Sequence, residues 1–373
     1  MTQTTNTMFD PTQFILGTFA SNCSSGMSVT KVPERWVNSW DNNLKLAKLL
    51  DDAGIEFMLP IARWIGYGGE TNFHGGVLET ITWATGLLTQ TKNLNVFATI
   101  HTAANHPVVV AKQIATIDQI SRGRVGLNIV AGWNQPEYEA LGLDLPTAHE
   151  DRYGYAEEWF GIVKALWSRT EAFDWETAHF HLKQALADPR PAGRIPILNA
   201  AGSDQGREFA IGNADFLFTP AIDLKRSTEE IAALKTQAAA AGRSIGVLTF
   251  AHVVCRPTEQ EARDYLQYYA QDNADWAAVD NLVRLQFAHA QSFPHDLLAL
   301  IRDRFAAGHG GFPLIGTPEQ VADGLIAMHA AGFNGTTLSF VDYAAEFPYF
   351  RDTVLPILEA KGIRRPAATN ANM

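Results

Sequence analysis

The sequence is poor in features that mark several classes of protein. It contains two cysteines, Cys23 and Cys255, in 373 residues, and they do not show the spacing of metal ligands. Two free thiols indicate a reducing compartment, so we expect a cytoplasmic protein. Basic residues are also few, since 29 Lys and Arg stand against 40 Asp and Glu, a formal net charge of −11. This balance argues against nucleic acid and against an anionic membrane as partners, because both attract a basic surface.

Long hydrophobic runs and the common hydrolase motifs are absent as well. No apolar stretch approaches the roughly 20 residues that cross a bilayer, and the first residues lack the basic and apolar regions of a signal peptide. The sequence has no Gly-x-Ser-x-Gly, His-Glu-x-x-His, Cys-x-x-Cys or Walker motif. We therefore expect neither classical nucleophilic hydrolysis nor a metal site.

Short apolar runs rich in β-branched and aromatic residues alternate with longer amphipathic segments along the chain. The eight predicted strands are 14–19, 55–59, 94–99, 124–130, 197–200, 216–218, 247–254 and 336–340. Because a helical pattern follows each strand, the sheet is predicted to be parallel. Eight such units favour an α/β fold of the (β/α)8 TIM-barrel class over an open sheet, and no Gly-rich dinucleotide fingerprint follows the first strand.

We predict that residues 1–373 form one barrel domain with insertions. The segment 274–313 is too long for a simple connection and predicts a helical insertion, while 1–12 and 365–373 are expected to be flexible tails. Three long loops, 20–36, 60–76 and 131–151, follow predicted strands. Because the chemistry of a barrel lies at the C-terminal ends of its strands, these loops are predicted to line a pocket there.

Polar residues at strand ends are the first candidates for that pocket. Asn128 interrupts an apolar strand, and Thr99 ends the preceding strand, with His101 shortly after it. A buried amide needs a hydrogen-bond partner, so Asn128 either bridges strands or binds a ligand, and both readings stay open. Thr99 taken alone is typical of strands, because β-branched residues suit them.

Two further segments could bind an anion or line a pocket. Residues 200–206 (AAGSDQG) follow a strand and open a helix, where backbone N–H groups favour phosphate. The alternative is that Ser203 or Asp204 only caps the helix. Arg152 opens another helix and could pair with phosphate or lie on the surface. Arg63 could line the pocket or pack under its loop.

Several motifs together resemble one known family. Residues 123–133 (GRVGLNIVAGW) resemble the signature of the bacterial-luciferase-like flavin monooxygenases, and 134–139 (NQPEYE) are similar to its pyrimidine oxygenase branch. Other segments similar to that branch are 65–69 (IGYGG), Ala98 with Thr99, Arg152 with Tyr153, and 201–203 (AGS). Loop 21–27 (SNCSSGM) also resembles the sulfone and sulfonate monooxygenases. The resemblance extends from the first predicted strand to the last.

The resemblance implies a two-component FMN-dependent monooxygenase on a (β/α)8 barrel. A separate NAD(P)H-dependent flavin reductase would supply reduced FMN, which would react with O2 inside the barrel, in the pyrimidine branch through a flavin N5-peroxide. The substrate would be a small polar heterocycle or amide whose C–N bond is cleaved. Barrels of this family often form homo-oligomers, so the resemblance also implies a dimer or tetramer.

The resemblance assigns roles to individual residues. The catalytic residues would be Thr99, Asn128 and Glu137, with the first two beside the flavin ring. The cofactor-binding residues would be Ala62, Arg63, Asn128, Arg152, Tyr153, Gly202 and Ser203, the last four near the phosphate. The substrate would contact Arg63, His101, Trp133 and Glu137. Arg63 stands where the pyrimidine oxygenases carry Lys, and His101 and His106 also depart from that branch.

Three alternatives to this function stay open at the level of the sequence. Within the family, the chain could cleave the C–S bond of a sulfone or sulfonate. A second alternative is a deazaflavin-dependent dehydrogenase that transfers hydride without oxygen. A third is a barrel that binds flavin without catalysis, which the set Thr99, Asn128, Glu137 and Ser203 argues against.

Overall fold

A computed structural model of the chain describes residues 6–145, 149–287 and 295–366. Its strands are β1 (Ile15–Phe19), β2 (Phe57–Leu59), β3 (Asn95–His101), β4 (Val125–Val130), β5 (Phe173–Glu176), β6 (His181–Ala185), β7 (Ile197–Ala200), β8 (Phe216–Phe218), β9 (Gly246–Cys255), β10 (Phe312–Gly316) and β11 (Gly335–Ser339). Its helices are α1 (Trp40–Asp52), α2 (Thr80–Leu88), α3 (Pro107–Ser121), α4 (Gln135–Ala140), α5 (His149–Ser168), α6 (Asp204–Asn213), α7 (Leu224–Ala240), α8 (Glu259–Gln267), α9 (Trp276–Gln286), α10 (His295–Gly308), α11 (Pro318–Ala330), α12 (Tyr343–Thr353) and α13 (Leu355–Ala360). A 3-10 helix, Thr7–Phe9, precedes β1, and a π-helical turn, Tyr268–Asp272, continues α8.

Eight of these strands form a closed parallel barrel. Their order around the barrel is β1, β2, β3, β4, β7, β8, β9 and β11, and β11 pairs back with β1. The β8–β9 pairing that closes the ring extends from Phe216 opposite Gly246 to Phe218 opposite Leu248. The sequence-based prediction of a (β/α)8 barrel is confirmed, and all eight predicted strands lie in it.

Large apolar side chains fill the barrel interior at alternate strand positions, because successive side chains of a strand point to opposite faces. These residues are Ile15, Phe57, Leu59, Phe97, Leu198, Phe216, Phe218 and Leu248. Glycine leaves room for two of the rings, since a Cβ at Gly17 would lie 2.6 Å from the Phe57 ring and one at Gly126 would lie 2.5 Å from the Phe97 ring. The opposite face of each strand packs against the surrounding helices in a larger apolar core.

The short helix before β1 closes the N-terminal end of the barrel. Met8 is 1% exposed and joins the interior apolar cluster, and the Phe9 ring stacks on Phe216 with centroids 6.0 Å apart. These residues belong to the predicted tail 1–12. Residues 1–5 and 367–373, which hold the remainder of the two predicted tails, lie outside the described residues. The opposite end of the barrel, where the strands end, is called the mouth below.

The connection between β9 and β11 contributes to that mouth. It contains α9 and α10, followed by β10 and α11, and residues 288–294 of the predicted insertion lie outside the described residues. Phe312 begins β10 inside the predicted insertion 274–313. β10 pairs in parallel with β9 from Ala251 onward, whereas β8 pairs with β9 only as far as Leu248. β10 therefore extends the barrel wall beyond the end of β8.

Among the elements that the sequence pattern does not predict are α4, α11, β10 and the antiparallel hairpin of β5 and β6. Most hairpin side chains are partly or fully exposed, so the hairpin lacks the apolar alternation that marks a strand. Helix α4 has six residues and lies in the predicted loop 131–151. Within the part of the chain that the structure describes, no helix has both the length and the apolar character of a membrane span.

Candidate functional site

Asn128 and Thr99 face each other on neighbouring strands at the mouth. They are register partners in the β3–β4 pairing, and Asn128 Nδ2 donates to Thr99 Oγ1 at 3.1 Å. The Thr99 hydroxyl donates its own proton to the Pro60 carbonyl at 2.6 Å, so it can only accept from the amide. Asn128 Oδ1 therefore points away from Thr99, and it is buried without a hydrogen-bond partner among the described residues. The pair holds a free amide acceptor in a fixed direction.

Arg63 and Glu137 form a buried ion pair above this level. Arg63 Nη1 lies 3.0 Å from Glu137 Oε2, and the two side chains are 5% and 1% exposed. Glu137 Oε1 accepts from the Trp64 backbone N–H at 2.8 Å. Within the described residues, Arg63 Nε and Glu137 Oε2 have no aligned hydrogen-bond partner. The guanidinium thus offers donors at Nε and Nη1, and the carboxylate offers an acceptor at Oε2, for further hydrogen bonding.

Aromatic rings hold the Arg63 guanidinium on two sides. Its carbon lies 4.8 Å from the Tyr67 ring centroid and 5.3 Å from that of Trp133. Rings at this distance stabilise a cation and restrict its orientation. Trp133, a predicted substrate contact, therefore lies beside Arg63.

His101 ends β3 and projects toward the same region. It is 7% exposed, and burial lowers its pKa to about 4, opposed by the Glu137 carboxylate and reinforced by Arg63. The imidazole is therefore neutral near pH 7. Its Nδ1 atom finds no hydrogen-bond partner in the described part of the chain. His106 lies elsewhere, because it caps the N-terminus of α3 through Val108 N.

A second group of predicted residues lies at the N-terminus of α6. Ser203 caps this helix by accepting from Gly206 N at 3.2 Å, which is compatible both with the capping alternative and with a further contact to a ligand. The Tyr153 side chain bonds to Ser203, and burial raises the pKa of Tyr153. A Cβ on Gly202 would meet no atom within 4 Å, so open space adjoins this backbone.

Arg152 connects the two groups. It is 3% exposed, so the alternative of a surface arginine is wrong. Arg152 Nη1 donates to Gly132 O at 3.1 Å, in the loop that carries Trp133. Its Nε is buried and has no partner in the ranges that the structure describes. Ala62, also a predicted cofactor contact, is 9% exposed and lies beside Arg63.

Four residues above the mouth were not identified from the sequence. Tyr67, Phe73, His74 and His309, called the roof below, stack against one another, with Phe73 and His74 centroids 3.9 Å apart and those of the two histidines 5.6 Å apart. Burial lowers the pKa of His309 to about 3 and that of His74 well below its usual range. The sequence signal was weak, because the two histidines come from segments far apart in the chain.

The insertion ties the roof to the loop after β2. Asn281 of α9 donates to Tyr67 O at 2.9 Å, and Asp275 accepts from Thr71 N at 2.7 Å. Helices α9 and α10 also supply most of the apolar cluster around Tyr67 and Phe73. The roof is therefore one packed unit over the barrel mouth. The described residues include no cluster of His, Cys, Asp and Glu suited to a metal ion.

Comparison with known proteins gives an independent result. The family model described as luciferase-like monooxygenase matches residues 15–335. The chain is 31% identical to an FMNH2-dependent dimethylsulfone monooxygenase of Pseudomonas fluorescens, covering 91% of this chain and 94% of that protein. It is 28% identical to the pyrimidine monooxygenase RutA of Acinetobacter baylyi, covering 93% and 95%. A solved structure of a riboflavin lyase shares the fold with a TM-score of 0.83 at 22% identity, covering 95% of this chain and 93% of that one.

Proposed function

This chain belongs to the luciferase-like monooxygenase family, and on that premise we propose that it cleaves a C–N bond in a small polar heterocycle or amide as the oxygenase of a two-component system. The family resemblance read from the motifs is confirmed, and so are the flavin-dependent monooxygenase class and the use of reduced FMN and O2. A separate flavin reductase would supply the reduced cofactor.

The residues at the mouth fit FMN. The isoalloxazine ring needs hydrogen bonds in a dry site, and Asn128 Oδ1 is a buried acceptor without a partner among the described residues. The phosphate needs donors and open backbone, which Ser203, Gly202 and the N-terminus of α6 provide, with Arg152 and Tyr153 beside them. When bound, reduced FMN supplies the electrons that activate O2.

The protein would orient the cofactor and exclude water. Thr99 and Asn128 are 5% and 3% exposed, and their mutual hydrogen bond fixes the amide before any ligand arrives. Both are uncharged, so they stabilise developing charge through preorganised dipoles rather than by a counter-ion. The roof covers the mouth and keeps solvent from a reactive oxygen species.

The observation that carries the choice of substrate is the pairing of a free donor with a free acceptor. Arg63 Nε–H and Glu137 Oε2 are both buried and lack aligned partners in the described ranges. A heterocyclic or open-chain amide presents a carbonyl acceptor and an N–H donor close together, so it satisfies both atoms. We therefore assign Arg63 and Glu137, with His101 and Trp133 beside them, to substrate binding.

A sulfone is the second candidate, because a dimethylsulfone monooxygenase matches 91% of the chain at 31% identity. Its two oxygens could accept from Arg63, but a dialkyl sulfone has no N–H or O–H for Glu137 Oε2. A sulfone therefore adds no hydrogen bond to Glu137 Oε2, which keeps its contact with Arg63 Nη1, whereas an amide N–H adds one. The amide class therefore fits the pair better.

The test is a binding and turnover experiment with purified protein. We expect reduced FMN to bind more tightly than FMN under anaerobic conditions. With a flavin reductase, NADH and O2, a panel of amides and N-heterocycles should give oxygenated, C–N cleaved products. If neither form of FMN binds, the function is wrong. If sulfones alone are turned over, the C–S alternative replaces it, and turnover without O2 would indicate hydride transfer.

Two further aspects of organisation are part of this proposal. We place the whole chain in one barrel domain, with a helical insertion within the segment 274–313. We also propose that the chain assembles as a dimer or tetramer, which sedimentation velocity would test.

A further inference from the structure

Arg63 is the central charged group of the candidate site. Its positive charge acts on the surrounding titratable groups, lowering the pKa of His74, His101 and His309 in addition to the larger effect of burial. A buried guanidinium in such a position would by itself attract an anionic substrate group strongly. Glu137 Oε2, 3.0 Å from Arg63 Nη1, carries the opposite charge and is more deeply buried.

The neighbouring histidines do not add positive charge. Burial lowers the pKa of His101 to about 4 and that of His309 to about 3. Burial also lowers the pKa of His252, which lies on the same face of β9 as interior Leu248, to about 4. All three imidazoles are therefore uncharged at neutral pH and can contribute hydrogen bonds only.

Three other charged side chains near the mouth each make a hydrogen bond to the backbone. Arg152 donates to Gly132 O on the phosphate side of the site. Arg304 of α10 donates to Ile222 O, and Asp275 accepts from Thr71 N in the roof. Arg63 and Glu137, by contrast, are opposite charges in direct contact with each other at the substrate side of the mouth.

We propose that the Arg63–Glu137 ion pair restricts this site to uncharged substrates and rejects sulfonates and carboxylates. The proposal rests on the function proposed above and narrows its substrate class. An anion beside Arg63 would also lie beside Glu137, whose repulsion offsets the attraction of the guanidinium. The anion would lose its hydration without compensation. An uncharged polar molecule loses far less and gains hydrogen bonds, an amide with both side chains and a sulfone with Arg63.

The test uses two probes of similar shape, methanesulfonate and dimethyl sulfone, which differ in charge. Their binding to the full-length chain, with and without FMN, is followed by calorimetry and by tryptophan fluorescence, since Trp133 lies 5.3 Å from the Arg63 guanidinium. We expect no measurable binding of methanesulfonate to the wild type. Glu137→Gln removes the negative charge and keeps the side-chain shape, so methanesulfonate affinity should rise at least about tenfold.

The double variant R63Q/E137Q is the matched control, because it removes both charges and should not bind methanesulfonate. Binding of methanesulfonate to the wild type as tightly as dimethyl sulfone would overturn the proposal, and so would an unchanged affinity in a folded Glu137→Gln protein. If that variant does not fold, the wild-type measurement decides alone. If methanesulfonate binds the wild type and reduced FMN also binds, the charge-selectivity proposal fails but the proposed function is retained.

Discussion

The side-chain amide of Asn128 is hydrogen-bonded to the hydroxyl of Thr99 at 3.1 Å, across the paired strands β3 and β4. The hydroxyl in turn donates a hydrogen bond to Pro60 O, so donation runs in one direction, from the amide to the hydroxyl to the carbonyl. This arrangement aims Asn128 Oδ1 into the mouth before a ligand binds. It makes Asn128 both a structural bridge between strands and a candidate ligand contact, the two readings that the sequence leaves open.

Replacing Asn128 should separate catalysis from folding. We expect Asn128→Ala to lower kcat by about 100-fold or more, because a preorganised dipole at the reacting ring is lost, while stability falls by only about 1 kcal/mol. Asn199→Ala is the matched control, since Asn199 is a buried Asn on neighbouring β7 that donates to Ile129 O. The control should lose stability but keep turnover. Near wild-type kcat in Asn128→Ala would contradict the assigned role.

Ser203 is expected to contribute to cofactor affinity through its place at the N-terminus of α6. Ser203→Ala should raise the Kd for FMN about tenfold, because one donor to the phosphate is lost. Ser39→Ala removes an equivalent cap from α1, where Ser39 accepts from Asn42 N, and should leave the Kd unchanged. Both variants should lose about 1 kcal/mol of stability. An unchanged FMN affinity in Ser203→Ala would place the phosphate elsewhere.

Breaking the buried ion pair should destabilise the protein more than removing it. Arg63→Met leaves the Glu137 carboxylate buried without a counter-charge, so we expect the free energy of unfolding to fall by about 3–5 kcal/mol. The double variant R63M/E137Q should recover part of that loss in urea denaturation. The exposed pair of Arg302 and Asp280, with N and O 2.7 Å apart, serves as a control whose disruption should cost at most about 1 kcal/mol. Additive effects of the two substitutions would show that Arg63 and Glu137 are not coupled.

Buried histidines should make the protein sensitive to acid. Burial lowers the pKa of His101 and His252 to about 4 and that of His309 to about 3 from 6.5. As pH falls from about 6.5 to about 4, the unfolded chain binds protons that the folded chain does not, so the free energy of unfolding decreases. Each histidine contributes up to about 1.4 kcal/mol per pH unit in that range.

Urea denaturation across this pH range checks the prediction. His309→Gln removes one titrating group, so its free energy of unfolding should fall less steeply with decreasing pH than that of the wild type. Measurements at about pH 8 provide the reference, because the imidazoles are neutral there in both the folded and the unfolded chain. Parallel pH profiles for the variant and the wild type would rule out His309 as a source of the acid sensitivity.

Much of the fold could be predicted because local pattern and burial agree along the barrel. The strands 197–200 and 216–218 have the same bounds in the prediction and in the structure. The start of helix α3 is marked in the sequence, because proline favours the first turn of a helix and Pro107 stands there. The helix ends before Arg122, which has a left-handed backbone conformation. The hairpin β5–β6 and strand β10 were missed because their pairing partners, not their own apolar patterns, make them strands.

The sequence by itself determined the barrel and, through its motifs, the family with its cofactor class and a set of candidate residues for the mouth. Strand periodicity depends on neighbours two residues apart, and the motifs are contiguous, so both can be read locally. Only the tertiary structure decided that Arg63 is neutralised by Glu137, that Asn128 is oriented by Thr99, and that His74 and His309 meet in the roof. These relationships join segments far apart in the chain. The protonation of the side chains there depends on burial and on distances in space, not on spacing in the sequence.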